Sequence, residues 1–560
     1  MPGLKIVDNH FRNDSTGITS DAVKRPQLLS KASTVSVYSN PTTAITQPTI
    51  DEHTVLDNRE GRQASNRTSV TISNRSSRAH SIESELAEFM NQTYIEQESS
   101  SNHNATPKID IEEVLELEPA AEITVGPSRD EVAAMSEEDQ VADFLSREKH
   151  FLILSAAGKP IYSRYGSGQV ISGYMGILQA IMGFYQDSTT PDTLQAFSSP
   201  GLQVAMLVKG PESENTLRAQ LDFLYQVVVS GITSTSMARL FDRGDNFDLG
   251  RLLSGSESFL DNISDSLTSS DLYFDMFFGC LSVFKFRATL RSKLEHIIAA
   301  HRPPSANLLY AMLAIDKKLV SILRPKGHTM HPTDLQLVFE TVWERGFEEG
   351  QDYWLPLCLP KFNNTGFLHV FVSFLAPSIA IILISADKDD FFQLQTMKQD
   401  ILQKMEKEGL VRDLIRARFS QITTASIGIA DIVDHFVFKS RAKLQYLMPA
   451  PIKSKQQAKN SPLSRLRVRQ IYEDLQGIGT RQKLQIRHYP TGEPGTEILA
   501  LSWVTQSFEC YVIGRPTSTD TNPSETSVSP TAALIGASNA IHQYVRREEG
   551  RVWLNDGITF

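Results

Sequence analysis

One arrangement of chain occurs three times between His150 and Arg547, and this triplication constrains the fold more than any single motif. Each copy opens with two short runs of β-branched and aromatic residues around a tight turn, the pattern of a hairpin. The first is HFLILSAAGKPIYSRY, from His150 to Tyr165. The second is NLLYAMLAIDKKLVSIL, from Asn307 to Leu323, with Asp316-Lys317 at the turn, and the third is HFVFKSRAKLQYLMPAP, from His435 to Pro451, with a turn near Arg441. A helical pattern follows each hairpin, at Val170–Tyr185, Asp334–Glu344 and Leu463–Leu475. Strands come next, at Leu194–Val208, Trp354–Ile384 and Leu484–Ile513, and a second helix closes each copy, at Thr216–Ser230, Phe392–Glu408 and Ala532–Arg547. The unit is a small α/β sandwich, an antiparallel sheet with flanking helices, used three times.

Composition narrows the class. The 560 residues include 55 basic and 65 acidic side chains. That excess of acid is the wrong sign for a general nucleic-acid binder. The three cysteines, Cys280, Cys358 and Cys510, stand far apart, which excludes a disulfide framework or a paired-cysteine metal knuckle and suits a reducing compartment. Residues 1–145 are rich in Ser, Thr, Asn and charge, too polar to offset their ordering entropy, and are expected to be a disordered acidic, serine-rich regulatory tail. The long apolar run Gly366–Ala386 is cut by His369 and by Ala376-Pro377-Ser378, and reads as two strands joined by a turn rather than a membrane span. Two polar insertions, Pro451–Ser464 and Arg515–Pro530, are expected to be loops.

Enzymatic motifs do not assemble. The only Gly-Lys pair lies in SAAGKP, where Pro160 replaces the hydroxyl residue of a phosphate loop, and GSGQVISG carries Ile171 where a dinucleotide fingerprint needs its third glycine. His328 and His331 lack a third ligand at metal spacing and read as a loop before a helix. Cys358 has no base partner and reads as core. No cofactor and no metal are expected.

The glycines of Val170–Gln186 ask for another explanation. On a helix, Val170, Tyr174, Ile177, Leu178, Ile181, Phe184 and Tyr185 form a broad apolar face for the sheet. Beside it runs a stripe of small residues, Gly173, Gly176, Ala180 and Gly183, continued by Ser172, Met175 and Gln179. Each helix glycine costs about 0.5–1 kcal/mol relative to alanine, which close packing of a second backbone would offset. Either a helix of the same chain or a partner could supply that backbone.

These stretches, together with GYMGILQAIMGFY, LRAQLDFLYQVVVS, WLPLCLPKFNNTGFLHVFVSFL and REEGRVWLNDGITF, resemble the SAND/Mon family of vacuolar fusion proteins, in order from Lys149 to the C-terminus. The resemblance implies three consecutive longin domains, at 146–300, 304–412 and 430–560. It implies a heterodimer with a Ccz-type longin subunit, in which the stripe Gly173, Gly176, Ala180 and Gly183 holds the partner and Ser172, Met175 and Gln179 face a GTPase. The heterodimer would be a guanine-nucleotide exchange factor for a late-endosomal or vacuolar Rab GTPase, with no hydrolytic chemistry of its own. An early-endosomal Rab would recruit it through the second unit, where Trp354 is either an exposed docking aromatic or a core residue. Peripheral association with anionic or phosphoinositide membranes of late endosome, multivesicular body and vacuole is implied, with a role in protein transport and autophagy. A trafficking adaptor or tether without exchange activity is the alternative. In one respect the chain departs from the family: an apolar strand expected after LVKGP is missing, because Pro211 leads directly to ESENTLRAQL. The expected consequence is a gap next to the first strand of the first sheet.

Overall fold

The computed structural model describes residues 5–7, 135–147, 149–155, 159–166, 168, 170–174, 176, 198–199, 202–208, 212–241, 250, 253, 255–269, 271–450, 463–477, 484–490, 497–515, 529–555 and 557–559. All lie in one of the two units into which the chain divides; the other, 14–88, is outside the described residues. So are the two polar insertions beyond their flanking residues, and most of the tail.

Three antiparallel sheets form, as the triplicate pattern predicts. In the second, β7 (Leu308–Ile315) and β8 (Lys318–Arg324) make the hairpin, and β9 (Asp352–Leu359), β10 (Asn363–Ala376) and β11 (Ile379–Ser385) complete the order β8-β7-β11-β10-β9. The third repeats this order as β13-β12-β16-β15-β14, from β12 (His435–Ser440), β13 (Gln445–Leu447), β14 (Leu484–Pro490), β15 (Glu497–Val504) and β16 (Phe508–Gly514). The apolar run 366–386 becomes β10 and β11, with Ser378 at a left-handed φ of +61° in the turn between them. Among the described residues no helix is long and apolar enough to cross a membrane.

Strands buried on both faces explain the near-continuous apolar sequences. In β12, Phe436 and Phe438 enter one core with Leu501, Val512 and Ile541, while Val437 between them enters the core on the opposite face. The first of these cores is closed by α10 (Pro530–Arg547), the second by α9 (Arg465–Gly477) and by α4 (Leu272–Phe278), whose Tyr273, Phe274 and Phe278 sit among Ile471, Tyr472 and Tyr511. One face of the second sheet packs against α5 (Ala288–Ala300), α7 (Phe391–Lys407) and α8 (Leu410–Phe419) through Leu294, Ile298, Met397, Ile401 and Leu414. Helices α4 and α5 thus lie against the third and second sheets, although both fall within the expected first domain, 146–300.

The first sheet is smaller. β2 (Lys149–Ser155) pairs with β3 (Pro160–Ser163) on one side and β5 (Leu202–Val208) on the other. The gap expected next to its first strand is absent: the strand preceding LVKGP, β5, itself lies there, antiparallel to β2 over seven residues. On the far edge of β5, among the described residues, β4 (Ser198–Ser199) and β1 (Lys5–Val7) each pair briefly. Behind the sheet run α2 (Glu214–Ile232) and α3 (Glu257–Ser269).

The expected disordered tail ends early. Residues 137–146 form α1 (Glu137–Ser146), capped by Ser136, whose side chain accepts the Asp139 backbone N–H at 3.2 Å. Three acidic residues in its first turn complement the helix dipole, and buried Phe144 anchors it, so this end of the acidic segment is ordered. Two short strands tie sequence-distant parts together. β6 (Leu281–Ser282) runs parallel to β13 in the third sheet, and the C-terminal β17 (Ile558–Thr559) runs parallel to β8 in the second.

Candidate functional site

The turn from β3 into the following helical residues is fixed by Gly166. Its φ is +85°, and a Cβ there would stand 2.9 Å from the Phe144 ring, so only glycine fits. Gly168 already has helical backbone, and its carbonyl accepts the hydroxyl of Ser172, one helical turn on, at 2.6 Å. Residues 170–174 are helical, with Ile171 buried and Tyr174 stacked on Phe144 at 5.3 Å. On the other side Ser172, Gly173 and Gly176 are exposed, and a Cβ added at either glycine would meet no atom within 4 Å. The described part of the small-residue stripe is thus open. Met175, Gln179, Ala180 and Gly183 lie outside the described residues.

Behind this face the first sheet is clamped to the third unit. Lys149, buried at the start of β2, is paired with Glu212 at 2.6 Å and with the carbonyl oxygen of Gln220. Burial pushes its ammonium below the usual lysine value against the pull of Glu212. The next residue, Ser213, donates its backbone N–H to Glu473 of α9 at 3.1 Å, and the other Glu473 oxygen accepts the Tyr273 hydroxyl at 2.7 Å. Arg469, one turn away, stacks over the Tyr273 ring at 4.3 Å. Arg164 adds a bidentate pair with Asp265 of α3, both contacts 2.8 Å, and Tyr162 donates to Asp261 at 2.8 Å. None of this was legible in the sequence, because a lysine in SREKHF reads as solvated.

Trp354 lies on β9, half-buried. It stacks on His369 at 5.5 Å, meets Phe391 edge-on at 6.0 Å, and packs partly on the second core. Next to Phe391, Phe392 is 62% exposed, and no pattern in the sequence singled it out. His331 caps α6 (Pro332–Glu344), its Nδ1 accepting the Thr333 N–H at 3.2 Å, and Cys358 is buried with its thiol donating to the Asn363 carbonyl at 3.3 Å.

Antiparallel five-strand sheets flanked by helices, with hairpin, helix, three strands and helix in order, define a protein built of longin domains. Profiles agree: residues 149–263 match the first longin domain of FUZ, MON1 and HPS1, and residues 306–403 match the second. The chain is 34% identical over 443 residues to vacuolar fusion protein MON1 of Yarrowia lipolytica, covering 75% of this chain and 76% of that one. It is 27% identical over 480 residues to MON1 of Saccharomyces cerevisiae, 74% and 72% of the two chains, and 29% identical over 460 residues to MON1 homolog A of Gallus gallus, 78% and 77%. The chain belongs to the MON1 family of vacuolar fusion proteins.

Proposed function

We propose that this chain acts in endosome-to-vacuole trafficking as one subunit of a heterodimeric guanine-nucleotide exchange factor. Its partner is a Ccz-type longin subunit, and its substrate is a late-endosomal or vacuolar Rab GTPase. Family membership supports the trafficking role. The observation that carries the pairing is the open face at Gly173 and Gly176, in a first unit clamped to the third by the Ser213–Glu473 hydrogen bond. Such a face lets a second backbone approach closely, and the clamp holds it rigid.

Exchange needs no acid, base or nucleophile in this chain. The complex binds the nucleotide-free GTPase more tightly than the loaded one, and by reciprocity the nucleotide is released. An early-endosomal Rab meets the aromatic patch around Trp354, and the assembled complex associates peripherally with anionic or phosphoinositide membranes. The decisive experiment is release of fluorescent GDP from the late-endosomal Rab, with and without the copurified heterodimer. Acceleration by about tenfold or more is expected, equivalent to ~1.4 kcal/mol off the barrier to release. An intact heterodimer that leaves release unchanged overturns the exchange reading and favours an adaptor.

A further inference from the structure

The three sheets of this chain serve as controls for one another. In the second and third, the strand paired to the first hairpin strand carries a long neighbour on its other edge. β11 pairs with β10 from Ile379 to Ser385, and β16 pairs with β15 from Glu509 to Gly514. A further strand follows in each case, β9 and β14. The first sheet reproduces the order up to β5, and among the described residues neither long strand follows. Two fragments stand in their place and meet β5 at opposite ends. Ser198 and Ser199 pair with Gln203 and Leu202, while Lys5, Ile6 and Val7 pair with Val208, Leu207 and Met206.

An open strand edge presents unpaired backbone groups and recruits other chains unless something covers it. Here the strand is LQVAMLV, with Met206 and Val208 buried, in a sheet too small to leave a long edge bare. The cover comes from far away in sequence, and β1 also contacts α2 behind the sheet. A three-residue strand of this kind is held by few ladder bonds, so a longer strand can displace it.

We propose that the far edge of β5 is a strand-accepting site, occupied in cis by Lys5–Val7, which extends the first longin sheet by β-augmentation. The site takes an extended segment antiparallel to β5 in the register Lys5↔Val208, Ile6↔Leu207, Val7↔Met206. This inference does not depend on exchange activity.

Two measurements on the full-length chain test it. The first introduces Ile6→Cys with Leu207→Cys, residues directly opposite in the register and within reach of a disulfide. The native cysteines are all buried, so under mild oxidation the designed pair is expected to cross-link, and the Ile6→Cys, Gln203→Cys control is not. No cross-link, or equal yields in the two variants, overturns the proposal. The second is amide hydrogen exchange of Ile6→Pro, which removes the strand's central backbone donor. Exchange at 206–208 is expected to rise about tenfold, while β7 and β12 stay protected, and a synthetic peptide of residues 1–10 restores protection. Unchanged exchange at 206–208, or equal rescue by the peptide carrying proline at position 6, overturns it.

Discussion

Arg418 holds Asp316 by both carboxylate oxygens, at 2.7 and 2.9 Å, across the end of the second sheet. Asp316 and Lys317 are the two turn residues of the β7–β8 hairpin, with φ of +48° and +60°. Arg418 also donates to the Ser378 hydroxyl at 3.1 Å, so one guanidinium ties together both left-handed turns at that end. A two-residue hairpin of this kind normally uses Asn-Gly, and here side-chain contacts offset the strain that glycine would avoid.

The companion residue allows a test of which effect dominates. Lys317→Gly relieves a left-handed lysine, worth about 1 kcal/mol. It also deprives buried Glu340 of its 2.9 Å partner and Glu344 of the same cation, a loss of about 2–3 kcal/mol once the partial exposure of Lys317 is allowed for. Net destabilisation of about 1–2 kcal/mol is therefore expected in urea titrations, with recovery in Lys317→Gly, Glu340→Gln. Burial raises the Glu340 carboxyl to about 7 even with Lys317 present. A carboxyl raised in the fold contributes stability at low pH that is lost as pH rises, so the single variant's deficit should be smaller at pH 5 than at pH 8. A deficit that grows toward low pH would contradict this assignment.

His435 works in the opposite direction. Burial pushes its imidazole down to about 4, and its Nδ1 lies 2.7 Å from the Tyr472 hydroxyl. A histidine depressed in the fold contributes stability above its unfolded pKa of about 6.5 that is lost as pH falls toward 4. Melting temperature should drop through this window, and His435→Phe should flatten the drop while lowering stability at pH 7 through the unpaired Tyr472 hydroxyl. An equally steep profile in the variant would move the effect to other groups.

Gly557 precedes β17 with φ +70°, and a Cβ there would collide with the Ile322 carbonyl oxygen of β8. Gly557→Val is expected to detach the C-terminal strand, exposing 323–324 to faster amide exchange without unfolding β7 or β11. Wild-type protection at those residues would show that the strand tolerates a side chain.

Gly176 has open space where a side chain would go, so Gly176→Leu should leave the folding stability within about 0.5 kcal/mol of wild type. Heterodimer formation with the Ccz-type subunit should nevertheless be lost, with recovery in Gly176→Ala. A heterodimer yield unaffected by leucine would remove this face from the interface.

At the aromatic patch, Trp354→Ala confounds two effects, because half-buried Trp354 packs on the core and its loss costs up to about 3 kcal/mol. Phe392 is mostly exposed, so Phe392→Ala separates binding from folding. Binding of the early-endosomal Rab should fall about tenfold or more in Phe392→Ala with little change in stability. Retained affinity there would confine any docking to other surfaces.

The hairpin strands, the helices after the second and third hairpins and the division of 366–386 into two strands were readable from sequence, because each rests on local patterns of two or 3.6 residues. The turns Asp316-Lys317 and Pro377-Ser378 fell where expected. What the sequence hid was non-local. Strands of two or three residues, such as Leu281–Ser282, Ile558–Thr559 and Lys5–Val7, carry no periodic signal, and only a waiting edge elsewhere makes them strands. Helix α4 likewise reads as part of the first unit, and only the hollow between Tyr446 and Tyr472 reveals that its aromatics belong to the third. Of the stripe on the first unit's helix, Gly173 and Gly176 appear where the pattern put them, exposed, while the burial of Lys149 could not be inferred without Glu212 and Gln220 around it.

The parallel pairing of Ile558 with Leu323 has a consequence for how the molecule is made. While the chain emerges from the ribosome, the β8 edge of the middle sheet must wait for its partner until residues 558–559, far downstream, have been made. An unpaired strand edge recruits other chains in the meantime, and Ile558–Thr559 then seal a part of the protein built long before.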